Sequence, residues 1–207
     1  MKIELKNIYH IEQLSEETNA FSASLYINGV KAGTTSNQGH GGPTDYHAYN
    51  EKGRELIKQA EEYCKTLPPE KFTAGGEEHS IDMDLELFID GLLSKHLQEK
   101  ALQSFRRKID KAMEQSIVIG VPDQSFKTLR FKMDIGMLLV HPNGPNVLQD
   151  VIAKRVIPNL ENGEMVLNTN IPEQILKDAG LSPTQYVKPQ DTPALKKTQQ
   201  KKKGRGI

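Results

Sequence analysis

The stretch that decides the fold is Phe21-Ser-Ala-Ser-Leu-Tyr-Ile-Asn-Gly-Val-Lys-Ala-Gly-Thr-Thr-Ser36. Apolar and polar residues alternate from Phe21 to Ile27, which indicates a strand with one buried face. Asn28-Gly29 follows, and both residue types tolerate the positive φ of a type I′ turn. Val30–Ser36 then reads as the return strand of a hairpin. With an alternating segment at Lys2–Ile11, the pattern predicts a three-stranded antiparallel meander.

Helical periodicity begins after this meander. Apolar residues recur at helical spacing between Glu51 and Leu67, where Pro68-Pro69 predicts the end of the helix. A second apolar stripe starts near Asp82 and runs through residues 82–114, with Gly91 as a candidate break. Because strands and helices occupy separate stretches of the chain, we expect an α+β fold with a β-meander packed against helices.

The second half of the chain has shorter signals. Ile117–Val121 and Phe126–Lys132 read as strands, Ile135–Val140 is ambiguous, and Pro145–Val156 reads as a helix. A further short strand is predicted at Glu164–Leu167, and a short helix is predicted at Pro172–Ala179. We therefore predict a meander and two-helix core over residues 1–115, a smaller β-hairpin and helix portion over 116–181, and a disordered basic tail over 182–207.

Composition excludes several classes of protein. The chain has 207 residues, 36% hydrophobic residues, no Trp and a formal net charge of zero. It has one cysteine, Cys64, so no intramolecular disulfide framework can form, and we read Cys64 as a buried helix residue. Because there is no long apolar run and no apolar segment over Met1–Lys6, we expect no membrane span, no signal peptide and a cytoplasmic location.

The charge is unevenly distributed along the chain. Six of the 27 Lys and Arg side chains follow Pro193, where there is no acid, so the rest of the chain is net negative. Basic arms of this kind add sequence-independent affinity for phosphates. We therefore name the tail cations as candidate nucleic-acid contacts, with a role in solubility or incidental disorder as the alternative: Lys196, Lys197, Lys201, Lys202, Lys203 and Arg205. A second basic stretch contains Lys100, Arg106-Arg-Lys108 and Lys111, but the interleaved acids Glu99, Asp110 and Glu114 favour a solvated, salt-bridged helix face.

The loop after the hairpin, residues 37–47, is the candidate site. Its glycines, Gly39, Gly41 and Gly42, allow backbone N–H groups to converge on an anion, and function often lies in loops fixed by a rigid scaffold. A tight structural turn is the alternative, since the loop lacks a Walker ending. The side chains assigned to this ligand site are His40, Asp45, Tyr46 and His47. The first hypothesis is thus a non-enzymatic protein that binds a nucleotide or nucleic acid here.

Two other functions fit the sequence. His40, Asp45 and His47 carry the donor types of a divalent-metal site, so a metal-dependent hydrolase or nuclease is the second hypothesis, although their spacing matches no known signature. The third is a protein-interaction module that uses the long helix over residues 82–114. No catalytic triad or cofactor fingerprint is present, and we predict no cofactor and no catalytic residue.

One resemblance bears on context. Glu16–Gly42, with its pattern ETxAFxAxLYxxGxxxGxxxNxGxGG, and the following Met83-Asp-Leu-Glu86 resemble uncharacterised proteins of bacteria and their phages. The resemblance covers about the first 110 residues. It implies a bacterial or mobile-element accessory protein in the cytoplasm, and it implies no function for any residue.

Overall fold

A computed structural model describes residues 1–189 of the chain. Within it the chain divides into two compact units, one spanning Met1–Lys100 and one beginning at Ala101. This division lies inside a long helix, 15 residues before the boundary that the sequence pattern predicts after residue 115. The predicted α+β class is confirmed, because each unit combines an antiparallel sheet with helices.

The first unit is built on a four-stranded antiparallel sheet with the order β1-β2-β3-β4. The strands are β1 (Ile3–His10), β2 (Phe21–Ile27), β3 (Val30–Asn37) and β4 (Asp45–Ala48). The first three confirm the predicted meander, and β4 extends it by one strand. Asn28 and Gly29 have φ angles of 50° and 80°, as a two-residue hairpin with right-handed strand twist requires.

Two helices cover this sheet. Helix α1 (Glu51–Cys64) begins at Asn50, whose side chain accepts a hydrogen bond from Gly53 N at 2.9 Å. Helix α2 (Leu85–Met113) continues through Gly91 without the predicted break. The core between sheet and helices is mainly aliphatic and also buries the thiol of Cys64. Its most buried members are Leu25, Ile27, Ala32, Ala60, Cys64, Leu85, Ile89 and Leu93.

A second hairpin projects from the first unit and was not indicated by the sequence pattern. It consists of β5 (Glu70–Ala74) and β6 (Glu77–Ile81), and every one of its strand residues is exposed. Gly75 and Gly76 form the two-residue turn with φ angles of 62° and 86°. These strands cannot be predicted from the sequence pattern, because they carry charges at many positions and have no regular apolar alternation.

The second unit has a three-stranded antiparallel sheet with the order β8-β7-β9. Its elements in chain order are β7 (Ser116–Val121), β8 (Ser125–Arg130), α3 (Ile135–Val140), α4 (Gly144–Val151), β9 (Met165–Val166) and α5 (Glu173–Asp178). Helix α4 continues as a π-helical turn over Ile152–Val156. The strands and helices predicted here are confirmed in kind, and the ambiguous Ile135–Val140 is a helix with Ile135 and Leu138 buried.

The described part of this unit extends past the predicted start of the tail at Ser182. Tyr186 is buried at 3% exposure, bridges to Val166 of β9, and donates a hydrogen bond from its hydroxyl to Glu173 at 2.8 Å. The segment from Ser182 to Pro189 therefore belongs to the unit, because Tyr186 is part of its apolar core. In residues 1–189 no helix combines the length and the apolar character needed to cross a membrane.

Candidate functional site

The predicted loop over residues 37–47 is shorter in the structure. Asp45, Tyr46 and His47 lie on β4, where they pair with Ser36, Thr35 and Thr34 of β3 in that order. The loop proper is therefore the segment between Asn37 and Asp45. The expectation that all eleven positions form one loop is wrong at its C-terminal end, because β4 adds a regular antiparallel ladder there.

The side chain of Asn37 holds this loop together. Its Oδ1 accepts hydrogen bonds from Thr18 Oγ1 and Gly39 N, both at 2.8 Å. Its Nδ2 donates to the Gly42 carbonyl at 2.9 Å and to Thr44 Oγ1 at 3.2 Å. Asn37 is buried, and a buried amide must find its hydrogen-bond partners within the protein. These four bonds use both acceptor sites and both N–H donors of the side chain.

The backbone donors assigned to an anion are largely committed to the protein itself. Gly39 N–H is taken by Asn37, and Gly41 N–H donates to Thr18 Oγ1 at 3.3 Å. The Gly39 carbonyl also accepts from the amides of three residues of the preceding segment, Glu16, Glu17 and Thr18. Two of the three N–H groups of the predicted nest are therefore already used within the protein, and Gly39 and Gly41 take part in the structure of the turn.

The surroundings of the loop are acidic. His40 Nδ1 lies 3.2 Å from Glu16 Oε2, and the Glu17 side chain lies beside Gly41. A cavity of about 240 Å³ here is lined by Glu17, Thr18, Asn19, Asn37, Thr44 and Asp90. Carboxylates at this density repel an anion, so electrostatics also oppose phosphate binding at the loop.

Helix α2 fixes the end of the loop through Thr44. Thr44 N donates to Glu86 Oε1 at 2.8 Å, and Thr44 Oγ1 donates to Asp90 Oδ1 at 2.7 Å. Burial raises the pKa of the Asp90 carboxyl, the Thr44 hydrogen bond opposes this, and the nearby Glu86 and Asp84 carboxylates raise it further. Ionised Asp90 is thus an unfavourable charge in the folded protein.

This carboxyl predicts a pH dependence of stability. Because the pKa of Asp90 is raised on folding, the folded protein holds the proton more tightly, and that stabilisation is lost as pH rises from the ordinary value of 3.8 through the folded pKa. Asp90→Asn keeps an acceptor for Thr44, so we expect its stability relative to wild type to increase with pH in urea unfolding between about pH 4 and 7. Asp123→Asn is the control. A hydrogen bond from Arg106 lowers the pKa of Asp123, so the stability of this variant relative to wild type should decrease as pH rises. A constant difference for Asp90→Asn would contradict the prediction.

Tyr46 and His47 do not form a common rim. The Tyr46 hydroxyl donates to Glu61 Oε1 of α1 at 2.9 Å, and burial together with this bond raises the pKa of Tyr46 to about 12. Tyr46 is half-buried against the core of its unit, whereas His47 is exposed. Tyr46 is therefore a packing residue that ties β4 to α1.

The structure supplies no ligand set for the metal hypothesis. Across residues 1–189, no group of three or more His, Cys, Asp or Glu side chains is arranged to hold a metal ion. His40 contacts Glu16, while Asp45 and His47 lie two positions apart on β4. The donors that the sequence places close together are thus not brought into one coordination sphere.

A different surface has the charge expected for an anion site, and we call it the basic cleft. It lies in the second unit between α2 and β8, encloses about 440 Å³, and is lined by Lys108, Lys111, Ala112, Glu114, Gln115, Ser116, Thr128 and Arg130. Lys108 and Lys111 are one helical turn apart on α2, while Thr128 and Arg130 share a face of β8. Glu114 is the one acid, so the lining carries a net charge of +2.

Arg130 is held in position by a short chain of hydrogen bonds. Its Nη2 donates to Gln115 Oε1 at 2.9 Å, and Gln115 Nε2 donates to Asp134 Oδ1 at 2.7 Å. The amide of Gln115 therefore orients the guanidinium without neutralising it. Among the described residues, Lys108, Lys111 and Arg130 form no ion pair with a carboxylate.

The basic cleft could not be predicted from the sequence pattern, for two reasons. The interleaved acids of α2 suggest internal salt bridges, yet Glu114 and Asp110 do not pair with the two lysines in residues 1–189. The ion pair that does form links Arg106 to Asp123 in the β7–β8 turn, with contacts of 2.8 and 2.6 Å. Arg130 comes from a strand remote in sequence, so helix spacing alone could not associate it with Lys108 and Lys111.

The structure does not test the remaining sequence-based predictions. The six tail cations from Lys196 to Arg205, and the predicted tail beyond Pro189, lie outside the described residues. The long-helix interaction surface and the resemblance to bacterial and phage proteins stay predictions. The sequence matches no protein-family model, no curated protein and no solved structure.

Proposed function

We propose that the protein is a non-enzymatic binding protein for the phosphates of a nucleotide or nucleic acid, and that it holds them in the basic cleft. The observation that carries this proposal is three cations, Lys108, Lys111 and Arg130, lining one cleft without carboxylate partners among residues 1–189. Lysine ammonium and arginine guanidinium groups are the usual phosphate ligands of proteins.

The polar lining supports the same ligand class. Ser116 and Thr128 offer hydroxyl groups beside the cations, and such groups are common phosphate donors. No aromatic residue lines the cleft, so base stacking contributes nothing there and contacts to the phosphates must dominate. We therefore propose affinity with little sequence preference and a strong dependence on salt.

The acidic loop of the first unit is the wrong environment for this partner. Two of its N–H donors, those of Gly39 and Gly41, are used internally. The loop is also bordered by the acids Glu16, Glu17 and Asp90. The proposal thus keeps the anionic partner that the sequence suggests and assigns it to another part of the chain.

The test compares two charge reversals of equal size. Lys108→Glu with Lys111→Glu should weaken binding of a fluorescent oligonucleotide at least about tenfold, because two phosphate contacts are replaced by repulsion. Lys52→Glu with Lys58→Glu changes the net charge equally at two exposed positions of α1 and should leave the affinity within about twofold. Fluorescence anisotropy at several salt concentrations, with ATP as competitor, measures both variants.

The outcomes separate the cleft from other basic surfaces. Equal loss in both double variants would indicate a general charge effect and contradict the assignment. A third variant, with the six tail cations changed to Gln, measures the contribution of Lys196–Arg205. If it abolishes binding while the cleft variant retains it, the tail is the binding surface and the proposal for the cleft fails.

A further inference from the structure

The β5–β6 hairpin lacks the support that two-stranded sheets need. All ten of its strand residues are exposed, and none belongs to the three buried clusters of the described chain. Isolated two-stranded hairpins are at best marginally stable in water, and a third strand or a packed face is needed. In residues 1–189 this hairpin has neither, since its sheet contains only β5 and β6.

The hairpin also carries apolar surface on one face. Phe72 and His79 are cross-strand partners whose rings stack at 5.5 Å, and Ile81 lies on the same face. Phe72 is 48% exposed and Ile81 is 50% exposed. Phe72 and Ile81 thus give this face, which also carries Glu70 and Glu77, exposed apolar surface that is available for an interaction.

The register determines which backbone groups are free. A two-residue turn makes Ala74 and Glu77 a hydrogen-bonded pair, and hydrogen-bonded pairs alternate along an antiparallel ladder. Glu70, Phe72 and Ala74 therefore direct their backbone groups towards β6. Lys71 and Thr73 direct theirs outwards, so β5 presents two N–H and two C=O groups at an open edge.

We infer that β5 pairs antiparallel with β5 of a second copy of this chain, which joins the two hairpins into one four-stranded sheet. A two-fold axis at Phe72 places Lys71 opposite Thr73 of the second copy, so the outward groups of both strands satisfy one another in four hydrogen bonds. The two Phe72 rings then lie directly opposite on the apolar face, where aromatic cross-strand pairs stabilise a sheet.

Charge selects the β5 edge over the β6 edge. Strand β5 carries one acid and one base, Glu70 and Lys71, and the two-fold register places no like charges opposite each other. Strand β6 carries Glu77 and Glu78, so pairing two copies through β6 would gather four carboxylates in one short ladder. The Lys71–Glu78 ion pair at 2.9 Å is made within each hairpin and survives pairing through β5.

A matched pair of prolines tests the edge. Thr73→Pro removes the outward N–H of β5, and Ser80→Pro removes an outward N–H of β6, while each leaves the hydrogen bonds within the hairpin in place. In sedimentation velocity we expect the wild-type chain at twice its 23.2 kDa mass. Thr73→Pro should raise the Kd of the dimer about tenfold or more, because two hydrogen bonds are lost, and Ser80→Pro should leave it unchanged. A monomeric wild type, or an equal effect of the two prolines, overturns the inference.

Disulfide trapping tests the register even if Thr73→Pro does not fold. Phe72→Cys places two thiols directly opposite across the two-fold axis, so mild oxidation should give a covalent dimer. Thr73→Cys faces Lys71 of the second copy and should cross-link much more slowly. The native Cys64 is buried and does not compete. Equal cross-linking of the two variants would overturn the proposed register.

Discussion

Gly39→Ala is expected to lower the free energy of unfolding by about 3 kcal/mol, among the largest effects of any single methyl group in this chain. Gly39 has a φ of 93°, a conformation that an L side chain adopts only with strain. A Cβ there would overlap the Leu14 carbonyl oxygen and approach Ala20 Cβ. The backbone cannot move away, because the Gly39 amide is bonded to Asn37 and its carbonyl accepts bonds from Glu16–Thr18.

Gly42→Ala is the matched control in the same turn. Gly42 is exposed, has no positive φ, and a Cβ there would meet no heavy atom within 4 Å. We expect its free energy of unfolding to stay within about 0.5 kcal/mol of wild type. Urea unfolding of the two variants measures the difference. Equal stabilities would mean that Gly39 has no structural role and would reopen the loop as a ligand site.

Asn168→Ala should destabilise the second unit by about 3 kcal/mol. The side chain of Asn168 is completely buried; its Oδ1 accepts from Val118 N at 2.7 Å, and its Nδ2 donates to the Ser116 carbonyl at 3.0 Å. Alanine leaves both backbone groups of β7 without a partner and out of reach of water, and each then bears its desolvation cost. Ser116 lines the basic cleft, so this bond also supports the proposed site.

Asn159→Ala is the control for this prediction. The Asn159 side chain also donates to a backbone carbonyl, that of Arg155 at 2.9 Å, but it does so at the exposed surface. Water replaces the bond there, and the expected change is within about 0.5 kcal/mol. Thermal and urea unfolding compare the two. If Asn168→Ala is no more destabilising than Asn159→Ala, the buried bonds do not hold β7 as described.

The fold could be predicted where local patterns are strong. Asn28-Gly29 between alternating strands specifies a hairpin because only a few residue types accept its φ angles. Helix α1 could be predicted from its apolar face, although it ends at Cys64, three residues before the end at Leu67 that the prolines predict. The β5–β6 hairpin could not be predicted in the same way, since neither strand buries a face and so neither needs an apolar pattern.

The candidate site could be predicted less well, for a related reason. The glycines after Asn37 correctly indicate unusual backbone geometry, but the composition of a loop does not reveal which side chains will take up its N–H groups. Here Asn37 and Thr18 do so, and Thr18 is 19 residues away in sequence. The basic cleft likewise depends on Arg130 meeting the lysines of α2, which is a tertiary contact and has no local signal.

The chemical reactivity of Cys64 can report the opening of the first unit. It is the single thiol of the chain, lies in the core beneath the sheet, and burial raises its pKa to about 11. Only the thiolate reacts with alkylating reagents, so in the closed unit the sulfur is both inaccessible and protonated. Labelling of the intact protein therefore requires opening of this core, and its rate reports how readily the core opens without an added probe.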